Sequence, residues 1–163
     1  MFNPFTKPGA IIRRLQQVAV RLFAEETKPF NMTSIQLGAL QVIFDRPGID
    51  QISLSQATDV DRTSIMRVIE RLTSEGLVTK EANAHDRRVS SISITHAGRE
   101  RIEQLIDKAE VSQIRLLAPL TPAERKEFMR MMIKLVLAHS VTGNPAVREL
   151  AIEAGQRCPN AGL

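Results

Sequence analysis

The amino-acid sequence predicts a mainly α-helical chain with one small β-hairpin, an α+β fold, on three observations. Long stretches near both ends, 10–23 and 95–117, repeat apolar residues at the three-to-four spacing of a helix. Hydroxyl-bearing cap signatures such as Thr33-Ser34-Ile35-Gln36 stand where helical periodicity begins. Between Leu77 and Thr95 the period switches to two: Ile92 and Ile94 alternate with Ser91 and Ser93, as in strands buried on one side.

With 163 residues and 43% hydrophobic content the chain can build one sizeable core, and 1–163 reads as a single chain of one architecture. No apolar run approaches the roughly 20 residues of a membrane span, and Met1-Phe2-Asn3-Pro4 lacks the basic start of a signal peptide; a cytoplasmic location with no membrane partner is expected. Lys and Arg number 22 against 18 acidic residues, a net charge of +4 that permits a nucleic-acid partner without establishing one. The single Cys158 excludes an internal disulfide framework and a Cys-rich zinc site. Because Trp and Tyr are absent, six Phe and six Met supply the bulky packing.

In chain order, 10–23 sets Ile11, Leu15, Val18 and Leu22 on one row and Ile12, Ala19 and Phe23 on a second. So wide an apolar arc is expected to be buried against more than one partner. Pro29 lies in the segment that ends this helix. Thr33 and Gln36 make a capping box for a second helix through Leu37, Leu40 and Phe44, stopped at Asp45-Arg46-Pro47-Gly48. Ser53-Leu54-Ser55-Gln56 repeats the cap chemistry and is expected to open a short third helix that stops before Val60.

Asp61 is the expected N-cap of a fourth helix, and Gly76 its left-handed C′ residue with Leu77 folding back. A turn of about 100° per residue gathers Ile65, Val68, Ile69 and Leu72 on one face and Thr63, Arg67, Glu70 and Ser74 on the other, flanked by Arg71. Stretches 77–81 and 89–95 read as the strands of a hairpin joined by the loop 82–88. Thr95 is a cap for a long fifth helix, whose stripe of Ile102, Leu105, Ala109, Ser112 and Leu116 is close to a heptad and is widened by Ile106 and Leu117. Thr121-Pro122-Ala123-Glu124 joins a capping box to a first-turn Pro and starts a sixth helix with Phe128, Met131, Met132, Leu135 and Val136. Asn144-Pro145 is expected to start a last short helix, closed by Gly155. The middle is too small to bury the outer stripes, so these pack on one another or form a dimer interface.

Helix, turn, helix and hairpin is the order of a winged helix-turn-helix, in which the second helix of the pair enters the major groove of DNA. Arg reads guanine O6 and N7, and Ser or Thr bonds a base edge or a phosphate. Arg62, Thr63, Ser64 and Arg67 therefore suit a groove-facing helix, with Arg71, Ser53 and Gln56 as flanking DNA contacts. A solvated amphipathic helix shares that pattern. His85-Asp86-Arg87-Arg88 at the hairpin tip separates the two readings: an Arg on a narrow loop can enter the minor groove, while Asp86 clamps one guanidinium and aims the other.

Taken together, these residues resemble the MarR (multiple antibiotic resistance regulator) family of transcriptional regulators. The likeness rests on Leu54-Ser55-Gln56-Ala57, on Asp61 to Leu72 followed by Glu75-Gly76-Leu77-Val78, on Asp86-Arg87-Arg88 and on Ile94-Thr95-His96-Ala97-Gly98, in the family's order and spacing over 53–98. The outer helices match in layout. The resemblance implies an obligate homodimer, with a DNA-binding lobe at 33–95 and interlocking dimerisation helices from 8–30 and 96–155. It also implies a palindromic double-stranded operator, Arg88 rather than Arg87 in the minor groove, and Asp86 in a salt bridge that stabilises the wing. Half-sites would then lie roughly 10 base pairs apart, centre to centre. An inducer between the dimerisation helices and the lobe is implied as well, often an aromatic carboxylate or related anion.

Oxidant-sensing members carry a reactive Cys near the amino terminus, which this chain lacks, and Cys158 has no local activator. His85, His96 and His139 show no metal-ligand spacing, so no metal is expected. A small organic effector remains: Arg13 or Arg14 would pair its carboxylate, and Met32, Leu37 and Leu40 would supply an apolar wall. The competing reading leaves both Arg residues in water or on the partner subunit. No nucleophile paired to a base, Gly-rich phosphate loop or supported pair of carboxylates is present, so neither an enzyme nor a cofactor is expected. The expected function is a ligand-responsive transcriptional repressor. A winged-helix protein-interaction module and a redox-sensing regulator are the alternatives.

Overall fold

Cap chemistry sets most of the element boundaries. In a computed structural model of the chain, which describes residues 4–82 and 90–139, the order is α1 (Pro8–Glu26), α2 (Ser34–Asp45), α3 (Gln51–Thr58), α4 (Arg62–Ser74), β1 (Val78–Ala82), β2 (Ser90–Ile94), α5 (His96–Leu117) and α6 (Pro122–His139). The fold is mainly helical with one antiparallel hairpin, as the sequence predicts. The helix expected from Asn144 lies outside the described residues, as does Cys158.

Pro8 occupies the first turn of α1, where a missing N–H leaves no gap in the helix ladder. For α2 the capping box forms as expected: the Gln36 amide donates to the Thr33 hydroxyl at 3.2 Å, and the Thr33 amide donates to Gln36 Oε1 at 2.8 Å. The opening of α3 departs from expectation. Its cap is Asp50 rather than Ser53, because the Asp50 carboxylate accepts the amides of Ile52 and Ser53 at 2.8 and 2.9 Å. A carboxylate also complements the positive helix end, so α3 starts at Gln51 and Ser53 falls inside its first turn.

Both expected caps of α4 are present. Asp61 accepts the Ser64 amide at 2.9 Å. Gly76 adopts φ 71°, and the amides of Gly76 and Leu77 return to the carbonyls of Thr73 and Leu72, each at 2.9 Å, closing a Schellman motif. The hairpin pairs Val78 with Ile94 and Lys80 with Ile92. Ile49 adds a bridge that the sequence did not announce: the Gly48 amide donates to the Ile92 carbonyl at 2.9 Å and the Ile92 amide to the Ile49 carbonyl at 3.0 Å. This ties the loop before α3 to β2.

The core draws Leu40 and Ile43 from α2, Leu54 from α3, Ile65 and Leu72 from α4, Ile92 from β2 and Leu105 from α5, all fully buried. Phe44 is not among them; it stays exposed with the Arg99 guanidinium 5.4 Å from its ring centre. Thr95 caps α5, its hydroxyl donating to the Gly76 carbonyl at 2.7 Å and accepting the Gly98 amide at 3.1 Å. Gly98 is then forced: a Cβ there would lie 2.2 Å from the Leu77 carbonyl oxygen and 2.7 Å from Ile94 Cγ1. Along α5 the expected stripe faces inward, with Ile102, Leu105 and Ser112 buried and Ala109 and Leu116 half-buried. Ile106, expected to widen that stripe, is exposed.

The chain divides into two compact units, 1–116 and 117–163. In the first, the wide apolar arc of α1 is covered only in part within one chain: Leu22 and Phe23 are buried, whereas Ile11 and Ile12 are exposed, Ile12 to 60%. Near the other end of α1, Arg115 pairs with both Glu25 and Glu26. In the second unit the expected capping box holds the start of α6, with the Thr121 amide donating to Glu124 Oε2 at 2.8 Å. Arg125 donates to the carbonyls of Leu117 and Leu120 at 3.1 and 2.9 Å, the former also accepting the Leu120 amide at 3.0 Å.

Candidate nucleic-acid interface

Two short helices and a fixed turn position the site. Asp59, in the left-handed region at φ 52°, ends α3, and the Val60 amide donates back to the Ser55 carbonyl at 3.2 Å. The Ser55 hydroxyl donates to the Val60 carbonyl at 2.6 Å. With Leu54 and Ile65 buried on either side of it, the turn has little freedom to change the angle between α3 and α4.

The buried face of α4 is the one expected, Ile65, Ile69 and Leu72 with half-buried Val68. Thr63 and Arg67 are exposed on the far side, Arg62 is exposed at the first position of the helix, and Ser64 is half-buried. Neither Arg62 nor Arg67 has an acidic partner among the described residues. Arg71 differs: its Nε lies 2.6 Å from Glu75, which Arg101 of α5 also approaches at 4.0 Å. On α3, Gln56 is exposed, whereas the Ser53 hydroxyl donates to Asp50 Oδ2 at 2.5 Å within the cap. Hydrogen bonds from Ser53, side chain and then amide, hold the Asp50 carboxyl below its usual range. Hydrogen bonding to Ser64 does the same for Asp61.

The wing-tip residues Asp86, Arg87 and Arg88, and His85 beside them, lie outside the described residues. The five residues expected to hold an effector are not brought together. Arg13 and Arg14 are exposed on the first half of α1, Arg14 with its guanidinium 5.5 Å from the Phe5 ring centre. Leu37 and Leu40 are core residues. Met32 alone of the five lines a groove of about 400 Å³, between Phe23 and Thr27 of the α1 end and Ile35 of α2, with Lys28 on its rim. The sequence reading passed over Met66, an apolar side chain 42% exposed on α4. Its position on the helical wheel, away from Val68 and Leu72, is the signal that could have found it.

The family model described as MarR family matches residues 30–89, the stretch that begins just before α2 and runs into the hairpin. A protein of Thauera aromatica, named as a transcriptional regulatory protein for the hcr operon, is 34% identical over 138 residues, covering 82% of this chain and 81% of its own length. The chain belongs to the MarR family. As a MarR-family chain it is a transcriptional regulator of MarR type.

Solved structures of the family share its winged-helix fold. Bordetella bronchiseptica BpsR, whose DNA binding is regulated by 6-hydroxynicotinic acid, superposes with a TM-score of 0.77 at 25% identity, over 83% of this chain and 96% of that one. A mutant of Escherichia coli MarR, complexed with operator DNA, gives a TM-score of 0.73 at 26% identity, over 78% of this chain and 92% of that one. Among the described residues of this MarR-family chain, no helix is long and apolar enough to cross a membrane, and no three His, Cys, Asp or Glu side chains are grouped to hold a metal.

Proposed function

We propose that the protein is a homodimeric repressor that binds a palindromic operator through α4 and is released by a small organic anion. The observation that carries this reading is the doubly capped α4, with Thr63 and Arg67 exposed on the face opposite its buried one and Arg62 exposed in its first turn. The first turn of a recognition helix meets base edges, and unpaired guanidinium groups suit guanine in the major groove. The operator complex of the Escherichia coli relative supports DNA as the partner, and the exposed apolar side chains of α1, α5 and α6 support a second copy of the chain. An aromatic carboxylate is the effector class, supported by the 6-hydroxynicotinic acid regulation of BpsR. In this proposal Arg88 enters the minor groove, Asp86 stabilises the wing, and Arg13 or Arg14 meets the effector. The effector acts by preferring a dimer whose two α4 helices are wrongly spaced for the operator.

The test is an electrophoretic shift with the promoter of the protein's own gene, run beside random DNA at moderate salt. Operator preference is expected, with Arg67→Ala losing affinity in a sequence-dependent way and Arg88→Ala losing about 1–3 kcal/mol. Release by 6-hydroxynicotinic acid or another aromatic carboxylate is expected in the same assay. Equal binding to promoter and random DNA would sink the proposal. A loss for Arg67→Ala that is uniform on every sequence would reduce that residue to a phosphate contact.

A further inference from the structure

Every exposed side chain of α4 is polar except one. Met66 lies one turn after Arg62 and one turn before Glu70, and 42% of it is exposed. The exposed part of this apolar side chain is available to an apolar group outside the chain. Beside it runs a groove of about 300 Å³ whose floor is Ile69 and whose rim carries Gln51, Glu70 and, from β1, Lys80. The thioether therefore has room to move and an apolar neighbour to lie along. Lys80 is exposed on the same side, where a cation would meet a phosphate if α4 entered the major groove.

In that groove one base feature is apolar, the C5 methyl of thymine, and it projects between the hydrogen-bonding edges that Arg and Glu can read. We propose that Met66 is a specificity-determining residue that packs on a thymine methyl in each operator half-site, between the bases faced by Arg62 and Glu70. This rests on the reading of α4 as the DNA-contacting helix. It adds discrimination at a position where no hydrogen bond is made, so guanidinium and carboxylate contacts alone would not account for the preferred half-site.

The test replaces thymines of the half-site by deoxyuridine one at a time, which removes the methyl and keeps every hydrogen-bonding group. Fluorescence anisotropy then measures the affinity of the full chain and of its Met66→Ala and Met66→Gln variants; the side chain is exposed, so neither variant strains the fold. For the unaltered protein, one thymine per half-site is expected to show about a fourfold loss with deoxyuridine, the worth of one methyl withdrawn from water. Both variants are expected to bind the two DNAs equally while still preferring operator over random DNA. Discrimination that survives in Met66→Gln overturns the proposal, as does its absence at every thymine in the unaltered protein. Failure of the unaltered protein to prefer operator over random DNA is a different result, which overturns the DNA-binding reading along with it.

Discussion

Gly98 shows how much a single missing side chain can matter here. It sits where α5 passes so close to the Leu77 carbonyl that a Cβ would overlap it, and that oxygen is backbone held by the Thr95 cap. Gly98→Ala would normally raise helix propensity by nearly 1 kcal/mol. Here the overlap is expected to dominate, with a net destabilisation of about 1–3 kcal/mol from forced backbone shifts. Urea unfolding of the purified variant measures it; an unchanged or raised midpoint would show that α5 can move away from β1 without cost. Arg71 makes a second point at this scale. Sequence placed it with the DNA contacts, but its pairing with Glu75 directs the guanidinium along the helix toward Glu75.

At the scale of elements, α3 and α4 each begin at an Asp whose carboxylate accepts hydrogen bonds from the first turn. Both carboxyls titrate below their usual range, so both favour the folded state when ionised. Since the folded pKa is the lower one, that stabilisation is complete above the unfolded value near 4 and is lost as pH falls through the folded value. From these caps the urea midpoint is expected to be flat between about pH 5 and 8 and to drop below about pH 4. Asp50→Asn with Asp61→Asn keeps two good capping residues without a titrating group, so its acid drop should be shallower. Parallel acid curves for the two proteins would mean that the caps do not set the acid limit. The functional consequence is local, because these two caps hold the ends of the helix pair whose angle presents Arg62 and Arg67.

For the molecule as a whole, the uncovered apolar surface becomes an assembly prediction. Ile11, Ile12 and Val20 on α1 and Ile106, Val111 and Ile114 on α5 are large apolar side chains left exposed in a single copy of the chain. Exposed apolar area of this kind marks an interface. Sedimentation at micromolar concentration is expected to give a dimer, and Ile12→Asp to shift it toward monomer while weakening operator binding. A monomer for the unaltered chain, or a variant that remains dimeric, would remove α1 from the interface.

The sequence by itself determined the element types, the caps of α2, α4, α5 and α6, and which face of α4 is buried. Those follow from helix periodicity and from hydrogen bonds spanning three or four residues, which a linear chain displays directly. The family motifs between 53 and 98 are legible for the same reason, since each is a short local pattern. Only the tertiary structure decided that Leu37 and Leu40 are buried in the core, that Phe44 stays outside it, and that Ile49 bridges to Ile92. It also decided that Gly98 meets the Leu77 carbonyl and that Arg13, Arg14 and Met32 do not converge. Each of those outcomes depends on which distant residue arrives at the same place. Distances between chain neighbours do not contain that information; packing creates it.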